Sequence, residues 1–254
     1  VANKTDPLEK VLELQRFFGV TSLSLVPEMR RYEAAFRCGS AGKKEQSPHA
    51  VAAWLRLGEL KAQRQECASF SKTNLERCLS TLRALTLQAP EVFQQQLLKT
   101  LAEAGVALVL CPHFAGTRAH GATYWLGREK AVLMLTIRGK WADIFWFSLF
   151  HELGHILMHE RLAVFIEDGC DGPDQIKKEE AANRFAADHL IPPRDYMLFV
   201  RGSNFRPAAM REFADSIGVG VGIVVGRLQH DGHLARSAGN DLRTRYEWAE
   251  KAAG

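Results

Sequence analysis

The run Asp143–His159, DIFWFSLFHELGHILMH, constrains this chain more than any other stretch. Phe145, Trp146, Phe147, Leu149, Phe150, Ile156 and Leu157 spread around every side of a helix, so a helix formed here must be mostly core. Polar side chains carried into a core need partners. His151, Glu152 and His155 are such side chains, spaced H-E-x-x-H. Residues i and i+4 share one helical face, so both imidazoles can reach a single metal ion while Glu152 stands beside the water that the ion binds. With 9 His and 29 acidic residues in 254, the spacing arises by chance on the order of a few per cent of the time. The rival reading, a surface helix with two unrelated histidines, conflicts with the apolar flanks.

A catalytic zinc needs three protein ligands and an open position. His159 is near in sequence, but eight residues of helix are about 12 Å of rise, too far for bonds of about 2.1 Å to a shared ion. It reads as a helix-end histidine favoured by the dipole or as a neighbour of the ligands. The better source is Glu179–Ala187, EEAANRFAA. Here Glu179, Ala182, Asn183 and Ala186 share one face, a stripe of small residues that allows close approach to the His helix. Glu180 is spaced to pair with Arg184 in solvent. Glu179 is therefore favoured over Glu180 as third ligand, the alternative being that both are surface acids near a helix start.

Elsewhere, helical spacing predicts helices at Pro7–Phe18, Pro48–Ala68, Lys72–Leu87 and Pro90–Ala104, with a loop or linker at Cys38–Pro48. The period then changes. Val106–Leu110, His120–Leu126 and Ala131–Ile137 are short β-branched or aromatic runs punctuated by Gly and Pro, which predicts three strands. The His helix, predicted at Trp141–Glu160, an acidic and Gly-rich loop at Asp168–Pro173, a helix at Asp174–Leu190 and further helices from Pro207 complete the order. Helices, a small sheet, then helices is an α+β arrangement rather than a βαβ alternation. We expect a helical region at 1–89, a zinc-binding domain at 90–200 and a helical region at 201–254 packed on it.

Composition narrows the function classes. The chain is 46% hydrophobic and 24% charged with a net charge of +4, an ordinary folded composition without the basic excess of a nucleic-acid binder. Direct nucleic-acid binding is not expected. Five cysteines (Cys38, Cys67, Cys78, Cys111, Cys170) contain no C-x-x-C pair, which argues against a disulfide framework and for a reducing, cytoplasmic setting. The apolar runs are too short to span a bilayer and the charged start is not signal-like, so neither membrane nor export is expected.

DIFWFSLFHELGHILMH together with EEAANRFAADHLIPP at Glu179–Pro193 resembles the ImmA/IrrE metallopeptidases, which pair H-E-L-G-H with a downstream E-x-x-A-N-x-F-A-A-x-x-L-I-P helix. The resemblance implies a zincin-like fold with a small, mostly antiparallel sheet, Zn2+ held by His151, His155 and Glu179, and Glu152 as the catalytic carboxylate. Ala181 departs from the pattern, since many members carry a second acid there. AWLRLGE at Ala53–Glu59, GATYWL at Gly121–Leu126 and GIVVGRLQHDG at Gly222–Gly232 resemble, more loosely, the long members in which a helix-turn-helix module precedes the peptidase. That module is not visible in this chain. The sequence opens at Val1 without an initiator Met, so the expectation is that such a segment stood upstream.

The implied chemistry is zinc-dependent amide hydrolysis, with Glu152 as general base and then proton donor. Ala131–Ile137, just before the His helix, is the expected edge strand for an extended substrate. Tyr124 and His120 are weaker candidates for oxyanion donors. FADSIGVGVGIVVGRLQ mimics a helix-turn-helix, but its second helix is nearly bare of base-reading side chains, so a packing role is expected. His230 and His233 read as surface histidines. Two functions remain: an endopeptidase whose substrate is a protein, by resemblance a DNA-binding transcriptional repressor, or a regulatory or antidote module that binds without cleaving. Glu152, unnecessary in a purely structural site, favours the first.

Overall fold

The computed structural model describes residues 6–29, 47–117, 119–137, 139–159, 165–166 and 173–248. The expected linker before Pro48 and the expected acidic loop before Pro173 lie almost wholly outside these. The described elements are α1 (Pro7–Phe18), a 3-10 turn (Leu23–Glu28), α2 (Pro48–Gln63), α3 (Lys72–Ala84), α4 (Pro90–Glu103), β1 (Val106–Leu110), β2 (Gly121–Leu126), β3 (Lys130–Leu135), α5 (Ala142–Met158), β4 (Phe165–Ile166), α6 (Pro173–Leu190), α7 (Pro193–Arg201), α8 (Pro207–Ile217) and α9 (Val221–His230). The architecture is α+β. No helix among the described residues is long and apolar enough to cross a membrane.

Local chemistry accounts for most boundaries. Asp6 accepts the Leu8 N–H at the start of α1, Pro7 takes the first helical position, and Gly19 at φ 69° closes the last turn in the left-handed region. Ser47 and Ser71 cap α2 and α3 in the same way. Helix α2 nonetheless stops at Gln63, short of the predicted Ala68. The Lys130 ammonium reaches the Gln65 carbonyl at 2.7 Å and the Ala62 carbonyl at 3.5 Å, and the following segment bonds elsewhere: Ala68 N–H to Ala102 and Phe70 N–H to Glu129. Those tertiary bonds outcompete helical continuation.

The sheet runs in the order β1-β3-β2-β4, with β1 parallel to β3 and both other pairings antiparallel. Strand β3 is therefore enclosed on both sides, which overturns Ala131–Ile137 as an edge strand open to substrate. Pairing partners are chosen across the fold, and a run of apolar residues says nothing about which neighbours it acquires.

Alternation along the strands divides the core into two layers. Ala107, Val109, Ala122, Tyr124, Val132 and Met134 face Val51, Trp54 and Leu55 of α2. Packing there is close enough that a Cβ at Gly58 would overlap the Met134 thioether. Val106, Leu108, Ala131, Leu133 and Leu135 face the opposite layer, built on Phe145, Trp146, Leu149, Phe150 and Leu153 of α5 with α3, α4 and the C-terminal helices. Ile223, Val224, Val225 and Leu228 bury one side of α9 in this layer, in accord with a packing role for that helix pair.

Candidate metal centre

Helix α5 is buried along most of its length, and its polar residues Ser148, His151, Glu152 and His155 are buried with it. Its first turn is held by Asp143, whose carboxylate receives Arg243 Nε at 3.0 Å and Nη2 at 2.7 Å in a two-pronged pair. Trp141, just ahead of the helix, lies under the guanidinium groups of Arg243 and Arg245. Burial pushes the Asp143 carboxyl up, against the pull of Arg243 in the other direction.

Helix α6 packs directly on α5 through the small-residue stripe. Ala182 and Ala186 are fully buried, and a Cβ at Gly154 of α5 would lie 3.2 Å from Phe185 Cδ1. This approach brings Glu179 to the two histidines. His151 Nε2 is 2.9 Å from His155 Nε2, Glu179 Oε2 is 3.2 Å from His151 Nε2, and Glu179 Oε1 is 3.4 Å from His155 Nε2. Among the described residues these three form a group whose donor atoms all lie within 4.8 Å of one another. Four ligands at about 2.0–2.1 Å around a tetrahedral ion stand about 3.4 Å apart, so the observed spacings are close to one face of a zinc coordination shell. Two imidazole nitrogens and a carboxylate are also the donor types that zinc takes in hydrolytic sites. The residues present fit the metal.

Electrostatics agree with the geometry. Burial works to raise the Glu179 carboxyl, but the two imidazoles beside it bring it down to about 2. Burial lowers His155 and His159, favouring neutral rings. Neutral imidazole and ionised carboxylate are the protonation states that bind a cation.

Glu180, by contrast, is exposed and outside the group, and among the described residues no ion pair joins it to Arg184, which is also exposed. The i,i+4 spacing permits that pair, but two solvated side chains gain little by forming it. His159 lies just past α5, its ring 5.2 Å from that of His155, and is not part of the three-residue group. His230 is exposed and bonds Asp231 beside it.

Glu152 is fully buried, and its carboxylate abuts the first residue of β2: a Cβ at Gly121 would stand 2.5 Å from Glu152 Oε1 and 2.8 Å from its Cγ. Gly121 pairs with Leu135, on the face of the sheet that meets α5. Tyr124 is three residues on and takes the other face, its hydroxyl 3.3 Å from the Leu55 carbonyl of α2. The two-residue period of the strand removes Tyr124 as an oxyanion donor. His120 precedes β2 and is not among the grouped donors. Sequence reasoning missed the contribution of Gly121; a Gly opening a β-branched and aromatic run signals close approach by another group. Gly121→Ala is expected to displace the Glu152 carboxylate while leaving zinc binding within about twofold, since no metal donor is touched. Parallel measurements of zinc stoichiometry and Tm on the parent and the variant check this.

No curated protein matches the chain. A model of the IrrE N-terminal-like domain, Peptidase M78, matches residues 140–228, from the start of α5 to near the end of α9. That interval contains both helices that bring His151, His155 and Glu179 together. Over residues 140–228, this chain is therefore similar to the IrrE N-terminal-like domain, Peptidase M78, of the ImmA/IrrE family.

Proposed function

We propose that this protein is a zinc-dependent endopeptidase that cuts a regulatory protein, with a DNA-binding transcriptional repressor as the substrate that its family kinship favours. The observation that carries this reading is the convergence of His151, His155 and Glu179 within 4.8 Å, one residue along from the buried Glu152. Zinc held by these donors supplies Lewis acidity, polarising a carbonyl and making a water acidic near neutral pH. His151 and His155 present their Nε2 atoms as ligands, and Glu179 presents its carboxylate as the third. Glu152 accepts a proton from water at its carboxylate and delivers it to the departing amine nitrogen. Being fully buried, it does so out of contact with bulk solvent. A purely structural centre has no use for such a carboxylate.

The substrate should be a flexible segment rather than a folded domain, because paired and buried peptide bonds are out of reach. With β3 enclosed, the sheet's edges among the described residues are β1 and β4, and we place an extended peptide at β4 because it pairs with β2, the strand beside Glu152. Purified protein loaded with zinc and incubated with DNA-binding repressors encoded nearby should cut one of them at a defined bond. Tight binding to a repressor without cleavage under any inducing condition would replace this reading with that of a non-cleaving regulatory module. The ligand assignment is tested by Glu179→Gln against Glu180→Gln. The first is expected to weaken zinc binding at least 10-fold and the second not at all, measured by competition with a chromophoric chelator. Equal losses would remove Glu179 from the set.

A further inference from the structure

Helix α6 offers the centre more than one side chain. Gln175, Glu179 and Asn183 recur at i, i+4 and i+8 and so line one face. Gln175 Nε2 donates to Glu179 Oε1 at 2.9 Å, and Asn183 Oδ1 lies 2.9 Å from His151 Nδ1. The second contact determines more than position. An amide oxygen can only accept, so the hydrogen between these atoms belongs to His151 Nδ1. A neutral imidazole with its hydrogen on Nδ1 has its lone pair on Nε2, the atom 3.2 Å from Glu179 Oε2 and 2.9 Å from His155 Nε2.

We propose that Asn183 is a positioning residue for the metal centre: its side-chain oxygen fixes the tautomer and ring plane of His151, so that Nε2 presents its lone pair to the metal position. Gln175 performs the matching task for Glu179, holding Oε1 so that the carboxylate spans both histidines. One face of α6 thus supplies a ligand and the supports on either side of it. The inference rests on the metal reading above. It goes beyond that reading in assigning a function to an exposed asparagine that binds no metal itself. Without an acceptor at Asn183 Oδ1, the contact that favours the hydrogen on His151 Nδ1 over Nε2, where it opposes a cation, is lost. Outer partners of this kind are worth roughly 10–100-fold in metal affinity.

The test uses the full chain and zinc alone as the probe. Asn183→Ala should weaken zinc binding roughly 10–100-fold by chelator competition. Asn183→Asp, which keeps an acceptor at that place, should bind at least as tightly as the parent, and its Co2+-loaded form should keep the parent's visible spectrum. Because Asn183 is exposed, both metal-free variants should melt within a few degrees of the parent, which separates positioning from loss of fold. Parent-like zinc affinity in Asn183→Ala would overturn the proposal. So would an Asn183→Asp variant as weak as the alanine variant, since an acceptor at that place would then not be what sustains zinc binding. If the parent chain itself binds no zinc, the metal reading falls and takes this inference with it. If the parent binds zinc and the alanine variant matches it, only this inference falls.

Discussion

Glu152→Gln should leave one zinc per chain in place and lower peptide hydrolysis by about 100- to 10,000-fold, the range that a positioned general base contributes. The substitution is chosen for shape. Glutamine fills the same volume against Gly121, where even one added carbon on the strand side would collide with the carboxylate, so the packing of α5 on β2 survives. Only the ability to take a proton is lost. Glu152 is fully buried, and glutamine matches it in shape without any charge to bury, so the variant should melt no lower than the parent. Loss of activity without loss of zinc or stability identifies a catalytic group. Cleavage at the parent rate would exclude Glu152 from the chemistry, and loss of zinc would mean that it holds the metal rather than acts beside it.

The largest effect on stability is expected at Arg243→Ala, at about 3–5 kcal/mol, because the variant leaves the Asp143 carboxylate buried without its cation. Both side chains are under 10% exposed, and the two-pronged contact is the polar anchor at the start of the helix that carries His151, Glu152 and His155. For a chain of this size the loss corresponds to a fall in Tm on the order of 10 °C. The Asp143 carboxyl is already pushed above its ordinary value by burial, and removing Arg243 pushes it further. A carboxyl with a raised folded-state pKa takes up its proton more readily folded than unfolded, so its contribution favours the fold at low pH and is lost as pH rises. The deficit of Arg243→Ala should therefore shrink as the solution is acidified toward the Asp143 pKa. Replacing both partners by apolar residues, Asp143→Leu with Arg243→Met, should recover much of the loss, since neither charge then needs solvation. Equal Tm values for parent and Arg243→Ala would show that the pair does not anchor α5. Arg243 lies beyond residue 228, where the family match ends, so the anchor of the site helix comes from a part of the chain that the family model does not cover.

Several features were legible because they are local. The helical period placed His151 and His155 on one face, and the observed α5 ends within two residues of the predicted bounds. The same period put Glu179 on the small-residue stripe and Glu180 off it, and α6 does approach α5 along that stripe, with Ala182 and Ala186 fully buried. Prolines marked the starts of α1, α2 and α4. The strands were recognisable by their β-branched and aromatic content, and β1 occupies the predicted Val106–Leu110.

What stayed hidden depends on contacts between residues distant in the chain. Strand β3 has apolar residues on both faces, which is compatible with a centre or an edge, and only its pairing with both β1 and β2 makes it central. Tyr124 could not be placed, because a strand's alternation reveals which residues share a face but not which face meets which helix. Arg243 and Asp143 are 100 positions apart, and Asn183 and His151 are 32 apart, so neither pairing leaves a spacing to read. The sequence by itself determined the donor types, the place of Glu152 beside them and the helices that carry both, since each follows from a period of 3.6 residues and from the cost of burying polar groups alone. Only the tertiary structure decided the strand order, the glycine seat beneath Glu152, the salt bridge that anchors its helix and the asparagine that aims His151, because each is a meeting of surfaces whose free energy exists only once distant segments are packed together.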